Sequence, residues 1–216
     1  LECKITEDAE KCFQRCLQID RRDAAAWLGL GNVHKRREEI DSAISCYEKA
    51  LEFRPDYAEA HHNLGVCLRI AQRAADAIKH YQTARSLGLD RAELHHNMGS
   101  ALVDVHDIGA AIESYRQALR RNPEDTISHR DLNKLLWEQE LLDEYLASYR
   151  EALEKFPHSA ALRLDYAVAL NRQDAFEEAE RVLMQGLRHR PDSGALKSQL
   201  AYTMEGQQRW RDALQL

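Results

Sequence analysis

The sequence predicts an all-α fold, an α-solenoid of stacked antiparallel helix pairs, on three observations. All four prolines, Pro55, Pro123, Pro157 and Pro191, fall on one 34-residue lattice whose only vacant node between them is Leu89. Small residues recur in that phase at Ala9, Ala43, Ala77, Ala111, Ala179 and Ala213, and again at Gly31, Gly65, Gly99, Ala167 and Ala201. Bulky residues occupy their own column at Phe13, Tyr47, Tyr81, Tyr115, Tyr149 and Leu183. A constant period with alternating large and small columns describes a tandem array of interlocking units.

Taken in order, the array begins with half a unit to residue 23, continues through units at 24–57, 58–91, 92–125, 126–159 and 160–193, and stops inside another at 194–216. Within each unit the apolar residues have helical spacing, as in Leu64, Cys67 and Leu68 followed by Ala74, Ala77, Ile78, Tyr81 and Ala84. Each unit therefore reads as two helices. Proline ends the second, because it lacks an amide donor and disfavours helical geometry in the residue before it. No pair can cover its apolar stripe alone, so neighbouring pairs must stack. Ala213, Leu214 and Leu216 at the end carry no polar cap, which reads as a fragment of a longer protein.

Trp27, Leu30, Gly31, Ala43, Tyr47, Ala50 and Pro55 resemble the tetratricopeptide repeat signature at its proper offsets, and the resemblance runs the length of the chain. It implies a right-handed superhelix and a role in binding other proteins.

Composition narrows the function classes. The chain is 44% hydrophobic and 31% charged, with a formal charge of -6 that gives no general electrostatic footprint for nucleic acid. Short basic spots such as Arg120 and Arg121 are followed at once by Glu124 and Asp125. No apolar run is long enough to span a bilayer and no cleavable signal pattern opens the chain, so the expected location is cytoplasmic, with no membrane partner. The cysteines, Cys3, Cys12, Cys16, Cys46 and Cys67, lie in the first third without a C-x-x-C pair and read as reduced thiols packed in a helical core.

Several strings imitate catalytic or metal motifs. His129-Arg130-Asp131-Leu132 imitates a kinase catalytic loop but lacks its Asn, Leu136 standing in that place, and it sits inside a predicted helix. His129 and Asp131 also spell H-x-D, two of the three metal ligands in some iron oxygenases. However, His61, His95 and His129 occupy one column of the repeat, which explains the histidine. Gly29-Leu30-Gly31 lies in a helix without a preceding strand and reads as packing, not as a dinucleotide loop. The pairs His61-His62 and His95-His96 stand on neighbouring helices, about 8–10 Å apart by usual interaxial distances, too far to share a zinc ion. The expectation is no catalytic residue, no metal and no cofactor.

In the tetratricopeptide family the first helices of successive units line a concave groove. The resemblance places Asn32, Lys35 and Arg36 there from the first full unit, then Glu59, His62, Asn63 and Arg69, then Glu93, His96, Asn97 and Asp104. The fourth unit contributes Arg130, Asp131, Lys134, Trp137 and Glu138, and the fifth Asp165, Asn171 and Arg172. An Asn such as Asn63 or Asn97 offers two donors and an acceptor to an extended peptide, and Asp131 and Asp165 continue that column. The family's two-carboxylate clamp for chaperone tails is not reproduced: its cation positions hold Leu28, Glu93 and Asn97, so tight binding to such tails is not expected.

The fourth unit departs most from the pattern, with Asn133 and Tyr145 in the small columns, so its helices are expected to close less tightly. Trp137, flanked by Arg130 and Lys134, is either a binding anchor or a filler of that irregular packing. The function read from the sequence is a non-catalytic scaffold holding an extended peptide or partner segment. Two alternatives stand beside it: a substrate-recruiting arm of a larger enzyme, resembling the arms of O-linked N-acetylglucosamine transferases or of bacterial repeat proteins with a 2-oxoglutarate and iron oxygenase domain, and self-association through the ends or the fourth unit.

Overall fold

A computed structural model describes residues 2–141 and 144–214, and the side chain of Cys3 and the terminal Leu216 lie outside what it describes. Among the described residues every regular element is an α-helix. The contacts divide the chain into two compact units, Leu1–Gln117 and Ala118–Leu216.

The first unit holds α1 (Glu2–Ile19), α2 (Ala24–Arg36), α3 (Ile40–Phe53), α4 (Ala58–Ile70), α5 (Ala74–Ser86), α6 (Ala92–Asp104) and most of α7 (Ile108–Arg121). The second holds α8 (Thr126–Glu138), α9 (Ala147–Lys155), α10 (Ala160–Asn171), α11 (Phe176–His189), α12 (Gly194–Gly206) and α13 (Trp210–Ala213). Consecutive helices pack on one another from α1 to α6 and from α9 to α13, and within each unit alternate helices also touch: α2 on α4 and α4 on α6, then α8 on α10 and α10 on α12. This is the all-α arrangement of stacked helix pairs that the repeat period requires.

Close approach inside each pair depends on the small columns. A Cβ added at Gly31, Gly65 or Gly99 would stand 2.6, 2.6 or 2.8 Å from the ring of Tyr47, Tyr81 or Tyr115 respectively. Each tyrosine thus lies flat against a bare backbone and is fully or almost fully buried. Gly29 meets Phe13 in the same manner, so the Gly29-Leu30-Gly31 string is packing.

The turn between paired helices has one solution throughout. Glu38, Gln72, His106, Glu140, Asp174 and Gln208, spaced by 34 residues, all adopt φ between 56° and 62°. After each of them, an N–H reaches back to the helix in a Schellman-type closure, as in Arg73 to the Leu68 carbonyl at 2.8 Å and Leu141 to the Leu136 carbonyl at 2.9 Å. None of these residues is glycine, which hid the turn from a reading of the sequence. Where Leu89 replaces proline, α5 ends instead on Gly88 at φ 92°, and the Leu89 N–H reaches the Ala84 carbonyl at 3.0 Å.

The histidine column also has a structural use. The indole of Trp27 donates to the Arg21 carbonyl at 2.9 Å, and His61 and His129 donate through Nε2 to the carbonyls of Pro55 and Pro123 at 2.9 and 2.8 Å. Arg163 does the same to Pro157 at 2.7 Å, and His95, whose repeat lacks the proline, turns to Asp90 at 2.7 Å. In four of these five repeats a side-chain donor on the first turn of the first helix satisfies a loop carbonyl that helix geometry leaves unpaired. On the other side His61 Nδ1 meets His80 Nδ1 at 2.9 Å, where His129 meets Ser148.

The fourth pair, irregular in its sequence columns, also differs in its local structure. Tyr145 lies in the turn before α9, not inside a helix, and α9 is only nine residues long. Leu146 precedes it in the left-handed region at φ 70°. The Tyr149 ring stacks on His129 at 4.9 Å, whereas Tyr81 and Tyr115 meet His62 and His96. The cysteines correct one expectation. Cys46 and Cys67 are buried, with the Cys46 thiol pushed up to about 11 by desolvation, but Cys12 and Cys16 are exposed because they fall on the solvent side of α1.

Candidate functional site

In the first unit the residues expected to grasp a peptide instead hold one another. Asn63 Nδ2 donates to Asn32 Oδ1 at 3.0 Å, the Tyr47 hydroxyl donates to the same oxygen at 2.8 Å, and Lys35 Nζ donates to Asn63 Oδ1 at 3.2 Å. Asn97 Nδ2 donates to His62 Nε2 at 3.1 Å. That bond needs a neutral imidazole acceptor, and desolvation holds the His62 pKa below its ordinary value. Arg69 pairs with Asp104 at 3.3 Å, Arg36 is exposed at the end of α2, and His96 lies against the Tyr115 ring with centroids 5.4 Å apart. Asn32 and Asn63 thus bond across α2 and α4 and Asn97 bonds to His62 across α6 and α4, leaving each asparagine with part of its hydrogen-bonding capacity.

The second unit presents a concave site. A pocket of about 290 Å³ opens between α8 and α10. Arg130, Lys134, Trp137 and Glu138 reach it from α8, Asp165 and Val168 from α10, and Arg172 from the α10 cap. Its floor includes Asn133, Tyr145, Tyr149 and Ala169, all nearly inaccessible to solvent. The Trp137 ring is 45% exposed and stands 5.4 Å from the Tyr145 ring at 55°. It therefore forms a wall of the pocket.

The charges of this site are unevenly paired. Arg130 Nη2 donates to Asp165 at 2.9 Å, and Lys134 lies 3.9 Å from Glu138. Arg172 is exposed, and its side chain has no ion pair or hydrogen bond among the described residues. Burial raises the phenol pKa of both Tyr145 and Tyr149, and the Arg172 charge works against that rise at each.

Of the residues singled out from the sequence, Arg130, Lys134, Trp137, Asp165 and Arg172 come together here. Asp131, half-buried, is not in the pocket lining. Asn171 turns inward: it is 8% exposed and donates through Nδ2 to Thr203 Oγ1 at 2.9 Å, because α12 packs over that side of α10. Tyr145, Tyr149, Val168 and Ala169 were not singled out as binding residues. The signal for the first was present, since a tyrosine in an alanine column has to put its ring somewhere. Among the described residues no three His, Cys, Asp or Glu side chains converge to hold a metal ion, and no helix is long and apolar enough to cross a membrane.

Three tetratricopeptide repeat models match the sequence, at residues 22–88, 96–144 and 136–201. The chain belongs to the tetratricopeptide repeat family. No curated protein matches the sequence significantly. Among solved structures, this tetratricopeptide repeat chain is similar to YrrB, described as a repeat protein with an unusual peptide-binding site, at 22% identity and TM-score 0.63, covering 87% of this chain and 97% of that one. It is similar to PilF of Pseudomonas aeruginosa at 18% identity and TM-score 0.64, covering 91% and 90%, and to a chain of the APC/C hetero-tetramer Cut9–Hcn1 at 17% and 0.60, covering 92% and 39%. At these identities the likeness is one of fold. As a tetratricopeptide repeat protein, the chain is a protein-interaction scaffold.

Proposed function

We propose that this scaffold is cytoplasmic and non-catalytic, that it captures an extended peptide segment of a partner protein, and that capture centres on the α8–α10 face with Trp137 as its anchor. One observation carries the reading: a half-exposed indole walls an aromatic-floored pocket of about 290 Å³. That volume accepts one large side chain, and a rigid aromatic beside a desolvated floor is the usual composition of a binding hot spot. The asparagines of the first unit support it by contrast, because the amides of Asn63 and Asn97 would have to break their bonds to Asn32 and His62 before holding a peptide.

The test is a phage-displayed library of random dodecapeptides selected against the full chain. Trp137→Ala should weaken the selected peptides by about thirtyfold, the effect of losing roughly 2 kcal/mol. Asn63→Ala and Asn97→Ala should change affinity only a few-fold. Trp137→Leu, which keeps apolar contact with Tyr145, serves as the control for folding, checked by far-ultraviolet circular dichroism. Peptides that bind Trp137→Ala as tightly as the parent chain would refute this location.

A further inference from the structure

The peptide-capture reading leaves open what the segment contains, and the charges around the pocket bear on that. Three cations line it, Arg130, Lys134 and Arg172, against two carboxylates, Asp165 and Glu138. Arg130 is committed: its partner Asp165 has only 14% of its side chain exposed and lies 2.9 Å away, so releasing Arg130 would leave a largely desolvated carboxylate without its counterion. Lys134 and Glu138 are one helical turn apart and both well exposed, a pair that roughly cancels at the rim. Arg172 is left over, an exposed guanidinium whose charge is felt at Tyr145 and Tyr149 and which no described carboxylate answers. The locality is thus net positive on a chain whose formal charge is -6.

Resting on that reading, we infer that the bound segment places an aromatic side chain against Trp137 and Tyr145 with an acidic side chain beside it on Arg172. Ring meets ring, in the offset or tilted geometry aromatic pairs prefer. The carboxylate meets a planar donor fork suited to bidentate pairing. The arrangement differs from the family's two-carboxylate clamp, whose cation positions hold Leu28, Glu93 and Asn97 in this chain. Here one carboxylate is held by one arginine, and the aromatic side chain supplies the apolar contact.

Two capped peptides test it on the full chain, acetyl-Gly-Asp-Phe-Asp-Gly-amide and its Asn-Phe-Asn counterpart, with acid on both sides of the ring so that register does not matter. The readout is the Trp137 indole signal in proton–nitrogen correlation spectra, identified by its loss in Trp137→Phe and separate from Trp27 and Trp210. The acidic peptide should bind about fivefold or more tightly at low ionic strength, and Arg172→Gln should bring the two to equal affinity. The preference should shrink at about 0.5 M salt, since Arg172 is exposed. Equal binding of both peptides at the Trp137 indole overturns the acidic assignment and leaves aromatic capture standing. A stronger response to acetyl-Gly-Asn-Phe bearing a free terminal carboxylate overturns it in favour of a chain end. If no peptide moves that signal while library-selected peptides still bind elsewhere, the assignment falls together with the Trp137 location.

Discussion

Asn133 accepts the backbone N–H of Leu146 on its Oδ1 at 2.7 Å, while its Nδ2 donates to the His129 carbonyl at 2.8 Å and to Ser148 Oγ at 2.9 Å. A polar residue thus fills a column that elsewhere holds glycine or alanine, and every polar atom of its amide is satisfied. It holds Leu146, which precedes α9 in the left-handed region and is almost fully buried. Restoring the column's own residue should therefore harm this repeat. Asn133→Ala strands a buried N–H and is expected to destabilise by about 2–3 kcal/mol in urea denaturation. It should also loosen the Tyr145 floor of the pocket.

Tyr47 and Tyr81 occupy equivalent places with opposite polar fates. The Tyr47 hydroxyl donates to Asn32, whereas the Tyr81 hydroxyl is buried without a partner because Val66 stands where the neighbouring repeats have Asn32 and Ser100. Tyr47→Phe should cost about 1 kcal/mol, and Tyr81→Phe should stabilise by a comparable amount. Val66→Ser, which offers the orphaned hydroxyl an acceptor, should also raise the melting temperature, and scanning calorimetry on the three variants reads all of these shifts.

Gln72 holds φ at 60° with a side chain that gains nothing from that conformation, since Gln72 is exposed. Gln72→Gly should stabilise by about 0.5–1 kcal/mol, as glycine carries no Cβ penalty in the left-handed region. The same change at Lys79, inside α5, should destabilise by about 1 kcal/mol, and the opposite signs in thermal melts would establish that the gain is conformational.

Desolvation holds the imidazoles of His62, His80 and His129 below their ordinary value. Between the folded values and the unfolded one near 6.5 the unfolded chain binds more protons, so stability rises with pH in that window. The contribution is fully present above about pH 6.5 and is lost as pH falls through the folded values. Urea midpoints should drop between about pH 7 and pH 5. The drop should be smaller in His80→Ser, which places at that position the residue already found at Ser114 and Ser148.

The helical periodicity, the proline stops and the large-against-small columns were readable without coordinates because they depend on residues within one 34-residue period. The irregularity of the fourth repeat was readable too, since Asn133 and Tyr145 violate two columns at once. The left-handed turn was not, because Glu38, Gln72 and Glu140 carry no composition cue for it and adopt it only under the closure of the packed pair.

By itself, then, the sequence determined that paired helices repeat and stack, because burial of an apolar stripe is a periodic property that composition records directly. Only the tertiary structure decided which polar side chains are spent and which are available. Asn63 bonds to Asn32 from 31 residues away, Asn171 to Thr203 from 32, and Arg130 to Asp165 from 35, and each bond exists only once neighbouring repeats are in register. Hydrogen bonds require positions within a few tenths of an ångström, whereas burial requires only the right face. For that reason the solenoid class and the candidate residues Trp137 and Arg172 could be read from the columns, whereas the packing decided that those two line one pocket while Asn171 turns away from it.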